Sequence, residues 1–182
     1  MRAKTETSLK ELIYSDLYRI KERKVNFKDM VRTYFVPQGT TFPYIFWLRV
    51  VHYLKNKGFR IMVVIPYFIM RHYEYKYDVH VNTNISIGDG ILIVHGGAVY
   101  LNCKSIGNNF TVYQGVTLGS RKYGDKYKDE IPVIDNNVTI YTGAVVCGNI
   151  HIGDDVRIGA NAYVDKDVED GKTFIGATGR LL

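Results

Sequence analysis

Cysteine is scarce: Cys103 and Cys147 are the only two in 182 residues, far apart and forming no CxxC pair. That leaves no disulfide framework and makes a reducing cytoplasm the natural setting. Long apolar runs are lacking as well. The longest, residues 61–70, contains Pro66 and is about half the roughly 20 residues that a membrane-spanning helix needs. The opening MRAKTETSLKEL has no apolar core behind its charges and does not read as a signal peptide. There is no Walker-type phosphate loop and no GxSxG elbow. The basic residues form no single stripe and no recognition motif appears, which argues against nucleic acid as a partner. His80 and His95 have no Cys or carboxylate set at ligand spacing, so no metal is expected.

What is present is the balance of a folded protein: 46% apolar and 23% charged residues. Fifteen Tyr, eight Phe and one Trp make it aromatic, and the formal net charge is +6. A basic surface suits nucleic acid, an anionic membrane or a phosphorylated small molecule, and charge alone does not choose.

From Val81 the chain divides into sixes that open on an aliphatic residue. Val81, Ile87, Ile93 and Val99 open the first four; Ser105 shifts the frame by one; Ile106, Val112 and Leu118 resume it. After a polar stretch, Ile134, Ile140, Val146, Ile152, Ile158 and Val164 open six more. The fifth place is mostly apolar too, as at Ile85, Ile91, Phe110, Val138 and Val156. Six steps along an α-helix rotate a side chain by about 240° per repeat, so no helix face collects these residues. Short strands joined by tight corners do. Three strands close a triangular coil of eighteen residues, and coils stacked about 4.8 Å apart bury a continuous core. Gly88-Asp89-Gly90, Asn108-Asn109, Asn136-Asn137 and Gly153-Asp154-Asp155 supply residues that tolerate left-handed corners. The pattern predicts a mainly β fold, a left-handed parallel β-helix, over residues 75–182. An ordinary β-sandwich has no reason to hold this frame.

Residues 1–74 read as a helical segment. Ser8-Leu9-Lys10-Glu11 is a capping-box pattern, followed by Leu9, Leu12, Ile13, Leu17 and Ile20 at helical spacing. Further apolar stretches cover residues 44–54 and 59–70. The plain reading is a cap on the open end of the coil that also joins subunits. The sharper one is a peripheral membrane surface, since aromatics lie among Arg49, Lys55, Lys57, Arg60 and Arg71. A loop is expected at 119–132, where GSRKYGDKYKDEIP breaks the repeat; loops thrown from a rigid coil commonly carry function.

For chemistry, His95 stands out. It precedes Gly96-Gly97, which leave room for a ligand beside the ring, and an eighteen-residue coil stacks Asp78 close to Gly96. A His oriented by a carboxylate can take the proton from an alcohol while that alcohol attacks a thioester. Backbone N–H groups near the glycines would steady the oxyanion. His151, at a solvent-facing corner, reads as structural.

YDVHVNTNISIGDGILIVHGGAVYLN, FTVYQGVTLGS and PVIDNNVTIYTGAVVCGNIHIGDDVRIGANAYVDKDV resemble bacterial serine acetyltransferases and their relatives in capsule and exopolysaccharide gene clusters, which are hexapeptide-repeat acyltransferases. The resemblance implies acetyl-CoA as co-substrate, a homotrimer with the coenzyme in the groove between subunits, and Asp78 and His95 as the catalytic pair. Its coenzyme positions fall on Gly119, Thr142, Ala160 and Arg180. Its acceptor positions fall on His80, Val94 and Glu130. At Val94 the family typically has Asp, and where Glu130-Ile131 precede Pro132 it has an Arg-His pair. Lost charge pairs of this kind cost on the order of 2–5 kcal/mol when desolvated. On that ground the expected acceptor is a neutral hydroxyl of a sugar or glycan intermediate in surface polysaccharide synthesis, with serine O-acetylation in cysteine biosynthesis as the alternative and a catalytically silent scaffold as a third reading. The expected location is cytoplasmic, with membrane-peripheral contact as the variant.

Overall fold

The computed structural model describes residues 7–37, 40–122, 124, 126 and 129–176. The helical segment holds α1 (Leu9–Lys21), α2 (Phe27–Phe35), α3 (Phe42–Asn56) and α4 (Val64–Tyr77). The Ser8 hydroxyl accepts from the Glu11 N–H while the Glu11 carboxylate accepts from Ser8, which completes the capping box at α1. α4 ends where Asp78 takes a left-handed conformation (φ 51°).

Among the described residues, fourteen short strands then wind a parallel β-helix. One face stacks β1 (Val79–Val81), β4 (Val99–Leu101), β7 (Thr117–Gly119), β10 (Val145–Cys147) and β13 (Tyr163–Val164). The second holds β2 (Ser86–Ile87), β5 (Ser105–Ile106), β8 (Val133–Ile134) and β11 (His151–Ile152). The third holds β3 (Leu92–Ile93), β6 (Thr111–Val112), β9 (Thr139–Ile140), β12 (Arg157–Ile158) and β14 (Thr173–Phe174). Every repeat-opening aliphatic residue is buried except Ile87, which is half-buried. The break falls between β7 and β8, across the polar loop.

At the corner between the second and third faces, side chains build a ladder. Asn108 Oδ1 accepts from the Asp89 N–H at 2.9 Å, Asn136 Oδ1 from Asn108 at 2.8 Å, Asp154 Oδ1 from Asn136 at 2.8 Å and Asp170 Oδ1 from Asp154 at 2.9 Å. Each coil thus satisfies a turn N–H of the one before, a group that would be costly to leave unpaired. Asn109, Asn137 and Asp155 beside them have φ near 60°, the conformation the Asn and Asp pattern called for.

The helices close the open end of the coil. Tyr44, Ile45, Leu48 and Val51 of α3 and Met70 of α4 join one apolar cluster with the strands. Arg49, expected among surface cations, is instead buried: it grips Asp16 of α1 through Nε and Nη2, both at 2.8 Å, and donates to the carbonyls of Ile87 (2.9 Å) and Gly88 (2.7 Å). One ion pair therefore ties α1, α3 and the first coil. Arg71 is likewise occupied, by Glu74 at 2.7 Å.

His52 on α3 lines a cavity of ≈ 400 Å³ with Arg49, Lys55 and Ser86. Its Nε2 has no hydrogen-bond partner among the described residues. Burial, with Arg49 and Lys55 nearby, pulls its pKa down to about 4. The unfolded chain binds that proton near pH 6.5, so the folded state loses stability as pH falls from about 6.5 toward 4, by up to about 3 kcal/mol. Denaturant unfolding at pH 7.5 and pH 5 will show this loss, and His52→Gln will flatten it; an equal loss in the variant would assign the effect to other groups.

Candidate active site

The corner between the third and first faces carries the chemistry-bearing residues. Its turns stack through backbone bonds: Gly115 N–H to Gly97 O at 2.8 Å, Gly143 N–H to Gln114 O at 3.0 Å, and Asn161 N–H to Thr142 O at 2.9 Å. His95, Thr142 and Ala160 therefore lie along one edge of the prism. His95 and Ala160 are exposed and Thr142 is half-buried. Gly119 sits at the other end of the first face, with open space where a Cβ would be. Arg180 lies outside the described residues.

The first coil is longer than the repeat implies. Val79 pairs with Val99, twenty places on rather than eighteen. The two extra residues fall at the His95 corner, since Ile93 and Leu101 pair with Val112 and Leu118, so that β3 reaches β4 in eight places where β6 reaches β7 in six. Asp78 consequently lies against Ala98, two residues past Gly96. Its Oδ2 accepts from the Ala98 N–H at 2.6 Å, and no hydrogen bond joins it to His95 among the described residues. Gly96 lies against Tyr77, whose carbonyl oxygen would be 2.3 Å from an added Cβ. The room attributed to that glycine is thus filled by backbone, and the space lies at Gly97, where the nearest atom to an added Cβ is 4.0 Å away. Asp78 and Ala98 both hold positive φ, 51° each. For Ala this is a strained conformation worth on the order of 1–2 kcal/mol. Strain of this kind persists where surrounding structure fixes it, and here α4 and the first coil do so.

His80, on β1, shows what the sequence alone concealed. Its Nδ1 lies 2.8 Å from Glu74 Oε1 and its Nε2 3.5 Å from Asp78 Oδ1. A carboxylate accepts only, so Nδ1 carries the proton toward Glu74. Tyr100 stacks on the ring with centroids 4.7 Å apart. Glu74 is 4% exposed and also takes Arg71 Nη1 at 2.7 Å. A cavity of ≈ 370 Å³ opens beside this group, lined by Arg71, Glu74, His80, Tyr100 and Asn102 among others. Glu74 sits on a helix four residues before Asp78, and only the helix-to-strand reversal brings it to His80.

Of the remaining acceptor positions, Val94 directly precedes His95, whereas Glu130 lies at a different corner. Val94 is half-buried and its N–H donates to Val112 O at 3.0 Å, continuing the strand. Glu130 is exposed where the loop returns to β8, near Lys104, whose N–H donates to Pro132 O at 2.8 Å. That corner and the His95 corner flank the first face from opposite sides. Arg121 of the loop turns back on Cys147 O and Asp165. Among the described residues no three His, Cys, Asp or Glu side chains cluster as a metal would require.

Residues 131–166 match the model of the bacterial transferase hexapeptide (six repeats). A serine acetyltransferase of Synechococcus elongatus is 36% identical over 135 residues, 74% of this chain and 53% of its own length. The chain is a serine acetyltransferase-like member of the hexapeptide-repeat family. Among solved structures of that group, the Neisseria gonorrhoeae serine acetyltransferase in complex with serine superposes with a TM-score of 0.68 at 26% identity, over 94% of this chain and 67% of that one. A serine acetyltransferase in complex with CoA superposes at 0.70 with 25% identity, over 98% and 71%. The chain spans about half the length of the Synechococcus relative.

These relatives overturn the expectation of a glycan acceptor in polysaccharide synthesis: the proteins that this chain resembles are serine acetyltransferases. The expectation rested on the apolar Val94 and the acidic Glu130.

Proposed function

We propose that the chain catalyses serine O-acetylation in cysteine biosynthesis, moving acetyl from acetyl-CoA to the hydroxyl of L-serine. The observation that carries this is an exposed His95 on the corner edge of a serine acetyltransferase-like coil, with the Asp78 carboxylate on the adjoining turn. His95 takes the hydroxyl proton as the serine oxygen attacks the thioester carbonyl. The C–S bond then breaks and the CoA thiolate leaves with that proton, returned by His95. Of the three N–H groups after His95, those of Gly97 and Ala98 are engaged by Tyr77 O and Asp78. The Gly96 N–H is the one left to meet the oxyanion. Acetyl-CoA would lie along the edge of Thr142 and Ala160 and reach toward Gly119, with Arg180 on its phosphates. Asp78 and His80 orient the acceptor side. A homotrimer supplies the second wall of the groove, in a cytoplasmic enzyme.

Val94 offers no charge to serine's ammonium group, and Glu130 carries the same sign as its carboxylate. The KM for serine is therefore expected above about 1 mM, the top of the usual range. The test is thiol release from acetyl-CoA with L-serine as acceptor, for the wild type and for Val94→Asp. We expect serine-dependent release, and a KM at least about tenfold lower in the variant. Absence of serine-dependent release at 100-fold that concentration would reject the assignment.

A further inference from the structure

The connection between α3 and α4 and the start of α4 expose the densest group of large apolar side chains among the described residues. Phe59, Ile61, Met62, Val64, Ile65 and Phe68 fall within ten residues, with Ile61 89% and Ile65 72% exposed. Scattered exposed apolar residues are ordinary, whereas a contiguous group marks a contact. Gly58, at φ 76°, ends α3: its N–H donates to Lys55 O at 3.0 Å and that of Phe59 to Leu54 O at 3.0 Å. The tip is thus a defined turn. It is anchored to the coil by Lys55 Nζ, which bonds Thr83 and Asn84 at 2.8–3.1 Å.

Charge selects the occupant. Between residues 42 and 77 the only acidic side chain is Glu74, and it is buried against Arg71 and His80. The exposed surface of the hairpin carries Lys55, Lys57, Arg60 and Lys76 and no carboxylate. The acceptors of Lys55 are neutral, so its charge is not cancelled. Lys55 and Arg60 share a cavity of ≈ 360 Å³ with Val63, Tyr67 and Thr83, directly beneath the apolar tip. An apolar protrusion above a cationic hollow matches the acyl chains and phosphates of an anionic bilayer. A second copy presenting the same tip would bring cation against cation. No helix among the described residues is long and apolar enough to cross a membrane, so the contact is interfacial.

We propose that the α3–α4 tip docks the protein on the surface of an anionic lipid bilayer, with Ile61 and Ile65 inserted among acyl chains and Lys55 and Arg60 against headgroup phosphates. The test is co-sedimentation of the full chain with vesicles of phosphatidylcholine alone, or mixed with phosphatidylglycerol. The wild type is expected to bind the mixed vesicles and to be released by salt. Arg60→Glu should lower the partition coefficient at least about fivefold and the Ile61→Asp, Ile65→Asp double variant at least about tenfold. Both variants alter exposed positions, so thermal unfolding and thiol release are expected to stay unchanged. Equal partition of wild type and double variant overturns the proposal. So does light scattering that shows a smaller assembly in the double variant with vesicle binding intact, since a second copy would then own the tip.

Discussion

His95→Ala will lower kcat for thiol release by about 10³-fold or more while leaving the unfolding transition in place. The size follows from what general-base removal ordinarily costs, about 10²–10⁴-fold. The intact fold follows from exposure: His95 makes no hydrogen bond among the described residues, so its removal opens no cavity and orphans no partner. Asp78→Asn separates charge from shape. The amide oxygen still accepts from the Ala98 N–H, so the turn survives, but the negative charge beside His80 and the next coil is gone. We expect a loss of about 10- to 100-fold in kcat. A thiol-reactive reporter suits the assay because both cysteines are buried, and burial pushes the Cys103 thiol up to about 12. Unchanged turnover in His95→Ala would remove the catalytic role from that edge altogether.

The β-helix was legible because its rule is local and repeated. An aliphatic residue at each sixth place and Gly, Asn or Asp at the corners dictate the same coil many times over, and Phe110, Val112, Ile140 and Val156 are fully buried as that rule requires. The site was legible in its residues and not in its register. His95 and Asp78 stand out by type, but which turn faces which depends on a single coil whose length is irregular. Two additional residues, in the corner between β3 and β4 that carries His95, moved Asp78 from Gly96 to Ala98. Glu74 was illegible for a related reason: helical spacing places it near Arg71 and Tyr77, and only the left-handed Asp78 turns β1 back so that His80 meets it. Tyr100 on His80 is likewise a contact between coils. Periodicity gives such contacts once the step is known, and here the step varies from coil to coil.

Arg49 presents the same lesson in energetic form, and the second large effect. In sequence it is one of several cations among aromatics; in the fold it is 2% exposed and makes four bonds that join α1, α3 and the first coil. Arg49→Met leaves the fully buried Asp16 without its counter-ion, and breaking such a pair from one side costs about 3–5 kcal/mol. Asp16 also accepts from the Ile91 N–H at 2.9 Å, so Asp16→Leu strands that donor as well as Arg49. The double replacement, Asp16→Leu with Arg49→Met, removes both charges. It should recover part of the loss but not all, because the Ile91 N–H and the carbonyls of Ile87 and Gly88 lose the partners they had. Acid separates the contributions further. Burial raises the pKa of Asp16 above the ordinary carboxylate value while Arg49 pulls it down. Without Arg49 the carboxyl takes up a proton more readily, and a group with a raised folded pKa is least costly below its unfolded value. The deficit of Arg49→Met relative to wild type should therefore shrink between pH 7 and pH 4.5. Loss of the Arg49 charge also eases His52 upward, which acts in the same direction. Urea unfolding at both pH values reads this directly. A deficit under about 1 kcal/mol at pH 7 would mean that the ion pair merely fills space between the cap and the coil, and that the apolar contacts of Tyr44, Ile45 and Leu48 hold them together unaided.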